Sequence, residues 1–233
     1  MEHTIISAIR KNQASFHPVM NFDPAEDTLV AMDFTANNNS LSHEIINDID
    51  LFCKYVEAQR SSSGARYGVG GYNELRTVYD RSELFGVKGT EEPRRLHLGI
   101  DIWGEEGEPV YAFMGGMVHS FAFNDNYGDY GATLILMHQL ESIPFYTLYG
   151  HISLKDISNI HEGQYLNRGE VIAHVGAPHE NGHWPPHLHF QIINELGVKM
   201  GDYPGVCRFS EKDKYLANCP DPNEILQWDR FLK

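Results

Sequence analysis

Three short patterns hold the residues best suited to chemistry. His97-Leu98-Gly99-Ile100-Asp101 sets an imidazole four positions before a carboxylate, and His187-Leu188-His189-Phe190 sets two imidazoles two positions apart. Imidazole nitrogen and carboxylate oxygen are donors that a divalent transition metal accepts. In a strand, residues i and i+2 share a face, so His187 and His189 project together. Pro185-Pro186 fixes where that strand begins. For His97 and Asp101 to meet one metal, the strand must bend, and Gly99 permits a bend. Spacing alone leaves two readings open: a metal site, or strand histidines packed without one. The third pattern, His179-Glu180-Asn181-Gly182-His183, matches the His-Glu-x-x-His zinc signature letter for letter. That signature needs both histidines one helical turn apart on one face. Gly182 inside the pattern, Pro178 before it and Pro185-Pro186 after it do not allow a helix, so the match reads as accidental.

The surrounding chain narrows the class. Its 233 residues include 13 histidines, and ten of these lie between His97 and His189. Between residues 97 and 195, twelve Asp and Glu stand against only Lys155 and Arg168. A net charge of −14 argues against a nucleic-acid partner, which would call for basic patches. Met1 to Met20 carries one short apolar patch, Ile5-Ile6-Ser7-Ala8-Ile9, followed at once by Arg10 and Lys11. A secretory signal needs a basic start and then about 7–15 apolar residues. No apolar run approaches the roughly 18 residues of a membrane span, so no transmembrane segment is expected. The absent signal favours a cytoplasmic location. Cys53, Cys207 and Cys219 are too few for a disulfide framework, and reduced thiols are the expectation.

The elements that must position these residues are mostly strands. Residues 1–40 read as irregular. One helix is expected over about residues 42–59, where Ile45, Ile46, Ile49, Phe52, Cys53 and Val56 recur at helical spacing. Residues 67–90 yield no assignment. From residue 95 on, short β-rich runs alternate with turns. Leu96–Trp103, Pro109–Phe113, Met117–Phe123, Ala132–Leu140, Phe145–Tyr149, Val171–Val175 and His187–Ile193 are the expected strands. The fold expected is mainly β, a small antiparallel sandwich or barrel-like core. It spans residues 91–200, with an appended N-terminal segment of residues 1–90 containing the helix. A tail over residues 201–233 packs on the core through its amphipathic end, Ile225 to Phe231.

Five motifs in order then point to a family. They are His97-Leu98-Gly99-Ile100-Asp101, Gly107-Glu108-Pro109-Val110-Tyr111-Ala112, Leu148-Tyr149-Gly150-His151-Ile152-Ser153, the run Gly169-Glu170-Val171-Ile172-Ala173 between Gly163 and Gly176, and His187-Leu188-His189-Phe190. Over about residues 95–195 the chain resembles the lysostaphin-like (LytM-type) zinc metallopeptidases. The resemblance implies a mostly antiparallel β fold with a narrow groove. It implies one zinc per chain held by His97, Asp101 and His189, with His151 and His187 as the catalytic pair. The loop with Glu180-Asn181-Gly182-His183-Trp184-Pro185-Pro186 departs from the family's Gly/Ser/Thr-rich version. With the upstream Tyr72-Asn73-Glu74-Leu75-Arg76, it is similar to a subgroup whose relatives can be fused to cytoplasmic aminotransferase-like enzymes. The family's tyrosine six residues before the first ligand is replaced by Glu91, with Tyr72, Tyr79 and Arg76 as candidate substitutes.

The function this implies is zinc-dependent endopeptidase action on a peptide, with peptidoglycan cross-bridges and stem peptides as candidate substrates. A non-catalytic metal-binding or regulatory module of the same fold is the alternative. A phosphocarrier of related architecture ranks last, because it leaves His187-x-His189 without a role. Asp33 and Asn37 to Asn39 are candidates to enter the groove and close the open coordination position.

Overall fold

Alternation and tight turns build one dominant sheet. In the computed structural model, which describes residues 4–86 and 91–232, twelve strands are formed. They are β1 (Leu29–Met32), β2 (Tyr67–Gly70), β3 (Arg94–His97), β4 (Ile100–Trp103), β5 (Pro109–Tyr111) and β6 (Gly116–Asn124) in the first half. The second half adds β7 (Gly131–Leu140), β8 (Ile143–Ile152), β9 (Tyr165–Leu166), β10 (Val171–His174), β11 (His187–Ile193) and β12 (Val206–Arg208). Eight strands make the large sheet in the order β1-β2-β4-β11-β8-β7-β6-β9. All its pairings are antiparallel except β1 with β2, which is parallel. The sheet is therefore mixed, with β5–β10 and β3–β12 as two small additional sheets. The longest hairpin, β7–β8, turns at Glu141 and Ser142, both at positive φ (49° and 70°). That is the two-residue geometry whose twist matches the flanking strands.

Strand β11 shows how the sheet separates core from chemistry. Leu188, Phe190 and Ile192 point into the main hydrophobic core beside Ile100, Ile102 and Tyr149. His187, His189 and Gln191 occupy the opposite face, as a period of two requires, and they too are buried. At roughly 25 cal/mol per Å² of apolar surface removed from water, the core face anchors the strand and so fixes the register of the other face.

Several expectations need correction. Residues 1–40 are not irregular throughout: Ile5–Asn12 is helix α1, capped by Thr4 and Ser7, and Leu29–Met32 is β1. The helix expected over residues 42–59 is two helices, α2 (His43–Asn47) and α3 (Ile49–Ser63). Asp48 divides them, because its Oδ1 accepts from the backbone N–H groups of Asp50 and Leu51 and caps α3. Gly64 closes α3 in the left-handed conformation. Residues 96–103 are not one bent strand. β3 ends at His97 and pairs with β12, whereas β4 begins at Ile100 in the large sheet. Part of the unassigned stretch 67–90 forms β2, and its last residues, 87–90, lie outside the described residues. Strands β1 and β2, both upstream of residue 90, extend the large sheet beside β4. At the other end, Ile225, Leu226 and Trp228 pack in the main core with Ile5, Ile9 and Phe22. No helix among the described residues is long and apolar enough to cross a membrane.

Candidate metal centre and active site

A lateral row of residues across the sheet sets the site. Gly70 of β2, Asp101 of β4, His189 of β11 and Gly150 of β8 are successive partners. The next row is Gly68, Trp103 and His187. The glycines at the ends of the first row leave room for two large side chains. A Cβ at Gly70 would lie 2.6 Å from Arg76 Nη2, and one at Gly150 would lie 2.5 Å from the Tyr130 ring. His97 reaches the row from the end of β3, across the Leu98-Gly99 break. A Cβ at Gly99 would lie 2.5 Å from the His189 ring, so only glycine fits there.

His97, Asp101 and His189 are all buried, and each offers one ligand atom to a common point. His97 Nε2 lies 3.1 Å from His189 Nδ1 and 3.3 Å from Asp101 Oδ1, and His189 Nδ1 lies 2.9 Å from Asp101 Oδ1. The acceptor beside the other nitrogen of each ring places the proton there. His97 Nδ1–H donates to Gly71 O at 2.9 Å, and His189 Nε2–H donates to Gln191 Oε1 at 2.9 Å. Gln191 is oriented in turn by donating from Nε2 to Pro204 O and Cys219 Sγ. The two facing nitrogens therefore present lone pairs to one another and to a carboxylate oxygen. Three acceptors at 2.9–3.3 Å with no proton between the imidazoles call for a cation. Bonds of about 2.0–2.1 Å to a tetrahedral zinc would place donors roughly 3.3 Å apart. The residues present fit a divalent metal with an open position.

His151 and His187 stand beside this group with ring centroids 4.1 Å apart. His187 follows from strand alternation. His151 does not: its backbone is left-handed (φ 61°), a conformation costing on the order of 1–3 kcal/mol in a non-glycine residue. His151 Nδ1–H donates to Asn181 O and His187 Nδ1–H donates to Pro185 O, each at 2.8 Å. Both rings thus keep Nε2 unprotonated, and His187 Nε2 lies 3.9 Å from Asp101 Oδ1. Burial lowers His187 to about 4 and His97 to about 4, with Arg76 also lowering His97 against the opposing pull of Asp101. Burial, reinforced by His187 and His189, holds His151 well below the usual imidazole range. Burial alone would raise Asp101, yet His97, Arg76 and His189 around the carboxylate hold it well below the usual carboxylate range.

These groups open onto a cavity of about 230 Å³. Asp101, His151, His187 and His189 line one side, and Trp103 and Trp184 lie among them. Trp103 stacks on His187 at 4.0 Å and 19°. It is part of the site wall and not only packing. The rest of the lining comes from upstream residues, Phe34, Phe52, Val78, Tyr79, Leu84 and Phe85 among them, and from a downstream stretch that includes Lys199, Asp202, Tyr203 and Val206.

Other expected positions resolve differently. Residues 179–183 form turns, with Gly182 and His183 at positive φ and both His179 and His183 exposed. Glu180 there accepts from the backbone N–H groups of Leu154 and Ala177. Glu91 is exposed and pairs with Arg208. Of the proposed tyrosine substitutes, Tyr72 donates to Cys219 O at 2.5 Å, whereas Tyr79 lines the cavity. Asp33 and Asn37 to Asn39 do not close the centre. They line a separate hollow with Tyr55 and Gln59. Arg76, buried at 1% exposure, donates instead to Asp101 Oδ2. Arg76, Gln191, Tyr130 and Asn181 are site residues that spacing did not reveal. The signal available for Gln191 was its place in the His187-x-His189-x-Gln191 alternation.

The sequence model of peptidase family M23 matches residues 95–200. The match takes in the His97–Asp101 and His187–His189 motifs and His151. Among curated proteins, an L-Ala–D-Glu endopeptidase of Bacillus subtilis is 28% identical over 128 residues, covering 53% of this chain and 37% of the relative. A DD-carboxypeptidase/endopeptidase Mpg of Neisseria meningitidis serogroup B is 34% identical over 140 residues, covering 56% and 30%. The chain thus spans about a third of the length of these relatives. Among solved structures, the catalytic domain of the antimicrobial peptidase lysostaphin from Staphylococcus simulans aligns with TM-score 0.39 at 23% identity, covering 57% of this chain and 80% of that one. A zinc-containing peptidase from Vibrio cholerae aligns with TM-score 0.33 at 26% identity, covering 49% and 33%.

Proposed function

We propose that the protein is a zinc-dependent metalloendopeptidase, with one zinc per chain held by His97 Nε2, Asp101 Oδ1 and His189 Nδ1. The observation that carries this reading is the meeting of three unprotonated donor atoms with two more imidazole Nε2 atoms beside them. Zinc bound there supplies a water of lowered pKa, near 7, and polarises a scissile carbonyl. The Nε2 atoms of His151 and His187 are free to accept a proton, because their Nδ1–H groups are fixed on backbone carbonyls. Once protonated, either can return the proton to the leaving amine. Trp103 holds the His187 ring flat while it does so. The match of residues 95–200 to the family's sequence model and the endopeptidase names of both curated relatives support the reading.

The substrate proposed is a peptide whose residues carry side chains, as in a peptidoglycan stem, in preference to a glycine cross-bridge. The aromatic and aliphatic residues in the lining, which also holds Arg94, Asp129, Lys199 and Asp202, would find no side chain to pack on in a glycine chain. The test combines metal analysis with cleavage of a peptide panel containing stem-like and glycine-rich members. About one zinc per chain and cleavage of the stem-like members are expected. No turnover by zinc-loaded protein on any member would overturn the peptidase reading in favour of a non-catalytic metal-binding module.

A further inference from the structure

One buried cation, named from the sequence only as a candidate substitute for the family's tyrosine, touches the metal group. Arg76 is 1% exposed. Its Nη1 donates to Asp101 Oδ2, and its Nε donates to Glu74 Oε2 at 2.5 Å. Nη1 also lies 3.4 Å from Tyr79 OH, and the guanidinium carbon stands 5.4 Å from the centroid of the Phe34 ring. The loop that carries it is bonded along β3: Asn73 N donates to His97 O, His97 N to Glu74 O, and Arg76 N to Arg95 O. Gly71 of the same loop accepts from His97 Nδ1. One six-residue loop, residues 71–76, therefore grips two of the three donor residues, and it lies upstream of the segment matched by the family.

We propose that Arg76 is the positioning residue that makes Asp101 a one-oxygen ligand. The proposal rests on reading the His97–Asp101–His189 group as a metal centre. A carboxylate can bind a metal through one oxygen or both. With Oδ2 engaged by a buried guanidinium, only Oδ1 faces His97 Nε2 and His189 Nδ1. The second oxygen cannot swing in to fill the open position that a catalytic water needs. Glu74 holds Nε, so the fork is anchored on its far side and its charge is shared between two carboxylates. The glycine at position 70 belongs to the same device, because a Cβ there would lie 2.6 Å from Nη2 and push the fork from its place.

The test substitutes cobalt(II) for zinc, since its visible absorption is strong in four-coordinate sites and weak in five-coordinate ones. Arg76→Met removes the fork at similar length, Arg76→Lys keeps the charge and one donor, and Gly70→Ala displaces the fork without deleting it. Arg76→Met and Gly70→Ala should weaken the cobalt band, with Arg76→Lys intermediate. Metal affinity by chelator competition, or kcat, should fall about 10- to 100-fold in Arg76→Met, the usual cost of losing an outer partner of a ligand. A cobalt band, metal affinity and kcat all at wild-type level in folded Arg76→Met would overturn the proposal. So would a full-strength band in Gly70→Ala if Arg76→Met does not fold. Failure of the wild-type protein to bind zinc or cobalt would instead remove the metal-centre reading itself.

Discussion

Strands β4 and β11 bring Asp101, His187 and His189 to one face by alternation, whereas residues 71–85 reach the same cavity with nothing longer than short 3-10 turns at Val78–Arg81 and Glu83–Phe85. The two regions are stabilised differently. The strands are held by apolar residues on the reverse face, which lie in the main core. The irregular segment is held by backbone bonds to β3, by the buried Arg76 fork, and by a separate apolar cluster in which Tyr79 packs on Phe85 at 4.7 Å. In the proposed reaction the strands supply the reacting atoms, and the irregular segment supplies what orients and encloses them. Breaking each region should therefore fail in a different way.

The largest effect is expected in the strands. Asp101→Ala leaves two protein donors, so zinc content after dialysis should fall from about one per chain to near zero, and activity should fall with it. Retained stoichiometric zinc would show that Asp101 is not a ligand. Removing Asp101 also leaves Arg76 buried beside Glu74 alone, so the variant should be less stable than the metal-free wild type. His187→Ala comes next. Zinc should stay, because Nε2 of His187 belongs to no ligand bond, while kcat should drop about 10²- to 10⁴-fold, the usual range for a lost acid–base group. Equal loss of zinc and activity would make His187 a ligand.

That ordering mirrors what the sequence made legible. His187, His189 and the reverse-face core residues followed from a period of two, because a strand leaves no other choice. His97 and Asp101 were visible as a pair, but their placement on two sheets was not, since it depends on β12 pairing with β3 from about a hundred residues away. His151 was legible only through the family resemblance. Its direction comes from a positive φ, which alternation cannot supply. The single expected helix was divided because Asp48 has two backbone N–H groups to cap, and the apolar stripe runs on across the break. Arg76 was named only as a substitute for the family's tyrosine, and Asn181 only as part of its loop, because Arg76 acts on Asp101 and Asn181 on His151, 25 and 30 residues along the chain, and no spacing rule encodes such contacts. Gln191 lies two residues from His189 and was open to the alternation rule.

Asn181 offers an intermediate test of the enclosing parts. It is fully buried, and its side chain donates to Gly176 O and Trp184 O while accepting from Trp184 N. Its own carbonyl holds His151 Nδ1. Asn181→Ala should cost about 1–3 kcal/mol of stability by leaving these backbone groups unpaired. It should also lower kcat with little change in zinc content, because the backbone carbonyl that holds His151 Nδ1 loses the side-chain bonds that fix its position. Unchanged kcat in a destabilised variant would limit Asn181 to the loop. Leu84→Ala, at the rim of the cavity, should act more mildly. KM for side-chain-bearing peptides should rise roughly three- to tenfold with kcat kept, as for an interaction shared by ground and transition states.

The mildest test sets a scaffold histidine against a site histidine. His138 is buried in β7, with Nδ1 3.0 Å from Gly115 O and Nε2 2.7 Å from Thr147 Oγ1, and burial lowers it to about 4. His187 is also lowered to about 4 by burial. An unfolded chain protonates both near the ordinary imidazole value, about 6.5. Between those values the unfolded state binds more protons than the folded one, so stability rises with pH and is lost as pH falls from about 6.5 towards 4. Above about 6.5 both forms are neutral, and neither residue contributes a slope. The urea midpoint of metal-free protein should therefore decline on acidification through this window, and His138→Gln should flatten the decline. The two residues part in catalysis. His138→Gln should leave the pH profile of kcat/KM unchanged, because its ring faces Phe113 and Phe145 and not the cavity. His187→Gln should remove the limb to which the catalytic imidazole contributes. An altered activity profile in folded His138→Gln would mean that the scaffold and the site are coupled through β7 and β8, and that the division between what holds and what reacts is less sharp than the geometry makes it.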